Sequence, residues 1–173
     1  MTQIVGIDPG LTGACAVIDH NGVKSIFDLP TMPVPGAGPD AKVKRKVDAY
    51  ALCAALLKHC PASEGKPLVL IESVRAMGGK NNAIQTQASL LRSLGAIESV
   101  VECLRYPLHY IAPVSWKGYF DLVDSKLTDT QRKTASLALA RRLYGDDPSL
   151  ARAKDHNRAE ALLLAHYGKV KLA

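Results

Sequence analysis

A chain of 173 residues is long enough for one sizeable core and short for two domains, so a single domain over residues 1 to 173 is expected. Apolar residues make up 47% and charged residues 22%, the balance of a globular chain, with no apolar run near the ~20 residues of a membrane span. The opening residues lack the charged-then-apolar layout of a signal peptide, so a cytoplasmic protein is expected. The net charge of +6 gathers in three places: Lys42, Lys44, Arg45 and Lys46; Arg132, Lys133, Arg141 and Arg142; and Arg152, Lys154 and Arg158. That grouping favours a phosphate-rich partner over an apolar one. Cys15, Cys53, Cys60 and Cys103 form no C-x-x-C pair and are expected to be buried reduced thiols.

In chain order, Ile4 to Asp8, Ala14 to Asp19 and Val23 to Asp28 read as strands, and Asn21-Gly22 joins the last two as an antiparallel hairpin. Leu29 to Lys46, rich in Pro and Gly and then basic, reads as a surface loop. Asp48 to Cys60 has the apolar spacing of an amphipathic helix, and Leu68-Val69-Leu70-Ile71 is a buried strand that stops on Glu72. Helical spacing resumes from about Ala83 to Leu104, followed by a short strand at His109 to Ile111. Thr128 caps a helix running to Tyr144, and a last helix spans about Asn157 to Tyr167. The order β-β-β-α-β-α-β-α-α predicts an α/β fold, a mixed sheet carrying helices on its faces.

Asp8 and Glu72 each end an apolar strand, where a charge loses solvation and needs a partner. Strand ends are where α/β sheets place their sites, although each carboxylate would also serve as a helix cap or an arginine partner. Lys154 to Ala165 adds Asp155, His156 and Glu160 at the opening of an apolar helix, with Glu160 at the border of its buried stripe. Three carboxylates at one edge repel one another unless a cation holds them. Mg²⁺ suits that role, because it takes oxygen ligands and keeps waters that leave room for a phosphate.

G-I-D-P-G-L-T-G, the strand-ending I-E-S-V and D-H-N-R-A-E-A-L resemble the acidic motifs of RuvC-type Holliday-junction resolvases in the ribonuclease H-like superfamily. The likeness spans nearly the whole chain, including A-M-G-G-K-N-N-A-I-Q-T and the helix after it. It implies a ribonuclease H-like fold with a mixed five-stranded sheet and helices on both faces. It also implies a Mg²⁺-dependent endonuclease, with Mn²⁺ able to substitute, that resolves four-way DNA junctions as a symmetric homodimer in recombination and repair.

By motif, Asp8, Glu72 and Glu160 carry over as catalytic metal ligands. Glu160 stands where the family more often has aspartate, and Asn157 holds a position where many members have an acid or histidine. For the fourth ligand we expect Asp155, whose oxygens suit Mg²⁺, with His156 as the alternative, since it lies four residues before Glu160 on one helix face. The two ions would sit roughly 4 Å apart around one phosphate. DNA contacts are expected from Arg75, Met77, Lys80 and Asn81 in the loop after Glu72, with Met77 or Arg75 stacking on an unpaired base in place of the aromatic wedge of some members. Lys117 and Lys133 are candidate phosphate contacts, and Trp116 reads as packing.

Three alternatives stay open: a related nuclease acting on RNA or other branched DNA, a non-catalytic junction-binding module, and a phosphate loop like that of the sugar-kinase and actin-like ATPases. The last needs two such domains, and the chain has one. For the homodimer, Ala88, Leu91, Leu94, Gly95 and Ile97 give the helix from Ala83 to Leu104 a broad apolar face.

Overall fold

A computed structural model describes residues 3–34, 45–74, 84–145 and 147–172, the side chain of Gln85 excepted. The main sheet has five strands: β1 (Ile4–Asp8), β2 (Ala14–Asp19), β3 (Gly22–Asp28), β6 (Leu68–Glu72) and β7 (Leu108–Ile111), in the order β3-β2-β1-β6-β7. β1 to β3 form the expected antiparallel meander, and β6 and β7 add to β1 in parallel. The sheet is therefore mixed and five-stranded, with helices on both faces, as expected.

The two faces follow from strand alternation. Val5, Ile7, Cys15, Val17, Val69 and Ile71 point to one side, where α1 (Ala49–His59) and α2 (Ile84–Cys103) cover them with Leu52, Leu56, Ile97, Val100 and Val101. Ile4, Ala14, Ala16, Ile18 and Leu70 point to the other side, under α3 (Pro113–Tyr119), α4 (Asp129–Tyr144) and α5 (His156–Lys171). α5 lies closest to the sheet because its contact positions are small: Ala159, Ala161 and Ala165 are fully buried. At Gly6 a Cβ would run into the Ala161 carbonyl and the Ala165 amide. The absence of a side chain there lets α5 pack directly on the central strand.

Thr128 caps its helix as expected, and Asp48, expected inside the helix, is the cap of α1. Asp48 accepts from the Ala51 amide, and Thr128 forms a capping box with Gln131.

Three expectations need correction. The segment read as one loop, Leu29 to Lys46, carries strands at both ends: β4 (Thr31–Pro33) and β5 (Arg45–Val47) form a separate antiparallel ribbon, tied by Arg45 to the Thr31 hydroxyl and carbonyl. The sequence reading also missed α3. It opens with Pro113 at its first turn, where the missing amide costs nothing. The cysteines are all free, but Cys103 is exposed.

Candidate active site

β1 and β6 run parallel and pair through Ile7 opposite Ile71, one residue short of Asp8 and Glu72. Alternation then fixes where those side chains point. Asp8 shares a face with Ile4 and Gly6, and Glu72 shares it with Leu68 and Leu70, so both aim at the α3, α4 and α5 side. The close approach of α5 at Gly6 brings the preceding residue, Glu160, to the same edge.

The electrostatics record the convergence. The carboxyl of Asp8 is held well above the usual carboxylate range, first by burial and then by the charges of Glu160 and Glu72, with Lys117 and Lys133 opposing. Glu72 is also raised, chiefly by burial, although Lys117 and a hydrogen bond from Trp116 work against the shift.

A cation from α3 sits among these carboxylates. Lys117 Nζ lies 3.2 Å from Glu160 Oε2 and 3.7 Å from Glu72 Oε2. It also stands 4.9 Å from the centre of the Trp116 ring. Burial alone would lower the Lys117 pKa, but the charges of Glu160 and Glu72 outweigh it and raise it. Trp116 Nε1 donates to Glu72 Oε2 at 2.8 Å, and Ser136 Oγ donates to Glu160 Oε1 at 3.3 Å. A cleft of about 540 Å³, lined in part by Val114, Leu122, Arg132, Lys117 and Glu160, opens beside the group.

Asp155 stands beside Asp28, whose strand end is in register with Asp8 through Ala14, and is not among the main charges that act on Asp8. It is the residue before α5 and is buried, but its carboxylate accepts from the Arg152 amide at 2.7 Å and from the Arg152 guanidinium at 2.7 and 3.0 Å, with Arg158 at 3.9 Å. Burial pushes its pKa up, and the Arg152 hydrogen bonds more than reverse that, leaving it lowered. The oxygens that made Asp155 attractive as an ion ligand are thus satisfied in this structure by the amide and guanidinium of Arg152. Arg158 also pairs with Asp28 through two bonds, at 2.6 and 2.7 Å. Two members of the third basic cluster therefore serve the fold.

His156 is the first residue of α5, and Asn157 donates its side-chain amide to the Thr12 carbonyl and hydroxyl. Lys133 is exposed on α4, with its charge felt at Asp8. Arg75, Met77, Lys80 and Asn81 lie outside the described residues.

Two partners escaped the sequence reading: Lys117 as a cation inside the cluster, and the Trp116 indole as a donor to Glu72. The available signal was the Pro113 helix start after β7, which places Trp116 and Lys117 at the end of the first turn and the start of the second, at the same sheet edge.

The donor chemistry fits a divalent cation. Three carboxylates face one edge, and Asp8 is raised first by burial and then by the charges of Glu160 and Glu72, both of which a divalent cation would offset. The spacing is nonetheless that of a cluster gathered on Lys117: among the described residues no three acidic, histidine or cysteine side chains stand close enough to share one ion.

A five-stranded mixed sheet with acids at the ends of two adjacent parallel strands, and a third acid from the last helix, defines an α/β domain of ribonuclease H-like architecture. Among the solved structures it resembles are two of RuvC. One is Thermus thermophilus RuvC in complex with a Holliday junction substrate, with TM-score 0.56 and 14% identity over 99% of this chain and 97% of that one. Another Thermus thermophilus RuvC structure aligns with TM-score 0.53 and 16% identity over 98% and 96%. At these identities the likeness is one of fold. No protein-family model matches the chain, and no curated protein matches it.

Proposed function

We propose that the chain is a divalent-metal-dependent endonuclease that resolves four-way DNA junctions, with Asp8, Glu72 and Glu160 as its metal ligands. The observation that carries this reading is the meeting of Asp8 and Glu72, from adjacent parallel strands, with Glu160 from α5. The likeness to a RuvC fold that was solved on a junction supports the choice of substrate. Mg²⁺ or Mn²⁺ bound there would supply Lewis acidity and an activated water at a phosphodiester.

The chain's own residues do the rest. Asp8, rigid in the central strand, fixes the floor of the site. The Trp116 indole holds the Glu72 carboxylate in one orientation, while the Ser136 hydroxyl near Glu160 is shared with the Arg132 carbonyl. Lys133 on α4 presents positive charge toward the edge where a phosphate would approach. Arg75, Met77, Lys80 and Asn81 are proposed to reach the junction centre, and two copies of the chain would supply the two symmetry-related cuts.

Purified protein should cleave a four-way junction in Mg²⁺ and leave plain duplex, flaps and RNA hybrids intact. Asp8→Asn and Glu72→Gln should each lower cleavage by about 10²- to 10³-fold, the range typical of a lost electrostatic group in an active site. Junction binding should be kept or strengthened, since negative charge facing phosphate is removed. Near wild-type cleavage by either variant would remove these residues from the chemistry. One observation favours a second reading: an ammonium already fills the acidic cluster, as in a module that binds junctions without cutting them. Junction binding with no cleavage in Mg²⁺ or Mn²⁺ would select it.

A further inference from the structure

We infer that the cleft beside the acidic edge receives one unpaired nucleobase of the strand on which the edge acts. The inference rests on the nucleic-acid reading of that edge proposed above. The cleft lies among α3, the connection over residues 120–128 and α4, and has a volume of about 540 Å³. That is the size of a small-ligand site and far too small for a duplex, so only a base outside its pair can enter. Its walls are aliphatic, with Val114 from α3 and Leu122 and Val123 from the connection. Val114 is 66% exposed and Val123 57% exposed, so the cleft turns toward solvent an apolar surface that a flat ring would cover.

Three further features favour a base as the occupant. The Arg132 guanidinium, from α4, donates through Nε and Nη2 to the Leu127 carbonyl at 3.1 and 2.8 Å. Those in-plane bonds fix its orientation and use neither of its faces, which suits stacking on an aromatic ring. The charges in the lining also balance, Lys117 and Arg132 against Asp124 and Glu160, which suits a neutral ring with a polar edge better than an anion. Finally, Lys117 and Glu160 belong to the cleft and to the acidic edge alike. A nucleotide whose phosphate lies at that edge therefore carries its base to the mouth of the cleft.

The test reads binding in EDTA, apart from cleavage. Four-way junctions carrying one abasic nucleotide at successive positions near the crossover should bind as the intact junction does, except at one position. There affinity should fall about fivefold or more, the low end for a stacked base. Val114→Asn combined with Val123→Asn makes both exposed wall residues polar at similar size, and the double variant should melt within a few degrees of wild type. It should bind the intact junction about fivefold more weakly and lose the abasic penalty at that position, the coupling expected of groups in contact. A measurement on wild type alone adds to this: 2-aminopurine at that position should brighten on binding, as it leaves the base stack. Equal affinity for every abasic junction, a penalty that the double variant keeps in full, or 2-aminopurine that stays dim at every position overturns the inference and leaves the nuclease reading intact. Failure of wild type to bind a junction or a single strand overturns that reading, and the inference with it.

Discussion

At the scale of single residues, the two strand-end acids were legible because a carboxylate that closes an apolar run has few places to go. Asp8 follows four buried residues, and Glu72 ends a strand buried through Val69, Leu70 and Ile71. Asp155 was not legible in the same way. Its sequence neighbourhood suggests an ion ligand, but Arg152, three residues earlier, reaches back to it, and a contact between flexible side chains leaves no periodic trace. The consequence separates the two roles. Asp155→Asn should lower the melting temperature by a few degrees and leave Mn²⁺ affinity and junction cleavage within about twofold of wild type. The sign with pH follows from its lowered pKa: the stabilisation is present above the unfolded-state value near 3.9 and fades as pH falls through the native value. The gap between the variant and wild type should therefore be open at pH 7 and close below about pH 4 in thermal melts. A loss of Mn²⁺ binding in Asp155→Asn would return it to the ligand set.

At the scale of elements, periodicity revealed what was long and amphipathic and missed what was short. α1, α2, α4 and α5 were each foreseen to within a few residues, as were the five sheet strands. The three-residue strands β4 and β5 carry too little pattern to register, and α3 has seven residues and only Trp116 buried among them. The missed helix mattered most, since it delivers Lys117 and Trp116. What places Glu160 is subtler still: Gly6, a glycine inside β1 that carries no signal of its own in the sequence. Because a Cβ at Gly6 would meet backbone atoms of α5 and not the tip of a movable side chain, the helix would have to retreat. Gly6→Ala should cost at least about 2 kcal/mol in denaturant unfolding, toward the upper end for overpacking. It should also weaken Mn²⁺ binding, because the retreat carries Glu160 away from Asp8. Gly118→Ala provides the contrast, since nothing lies within 4 Å of a Cβ there. Equal stability of the two variants would show that α5 is not seated by the absent side chain.

For the molecule as a whole, one acidic edge allows one cut, and a four-way junction resolved without a nick needs two at symmetry-related strands. A two-fold dimer answers that requirement with identical chains. Among the described residues, α2 offers an exposed apolar face for such a contact. Its inner side is spent on the core through Ile97, Val100 and Val101. Its outer side leaves Leu91 45% exposed and Ile84 86% exposed, with Ala88 also exposed, and open space beside Gly95 where a second backbone can approach closely. The expected face thus divides: Ile97 belongs to the core, while Ala88, Leu91 and Gly95 remain available to a partner. Sedimentation should give a homodimer for wild type, and Leu91→Glu should shift it to monomer by burying an unpaired charge at the interface. The folded domain should survive in that variant, with a melting temperature within a few degrees of wild type, because Leu91 lies outside both core clusters. Junctions treated with the monomeric variant should accumulate single nicks in place of paired cuts. A wild-type monomer on the junction that still makes both cuts would refute the dimer, and a dimer indifferent to Leu91→Glu would move the interface off α2.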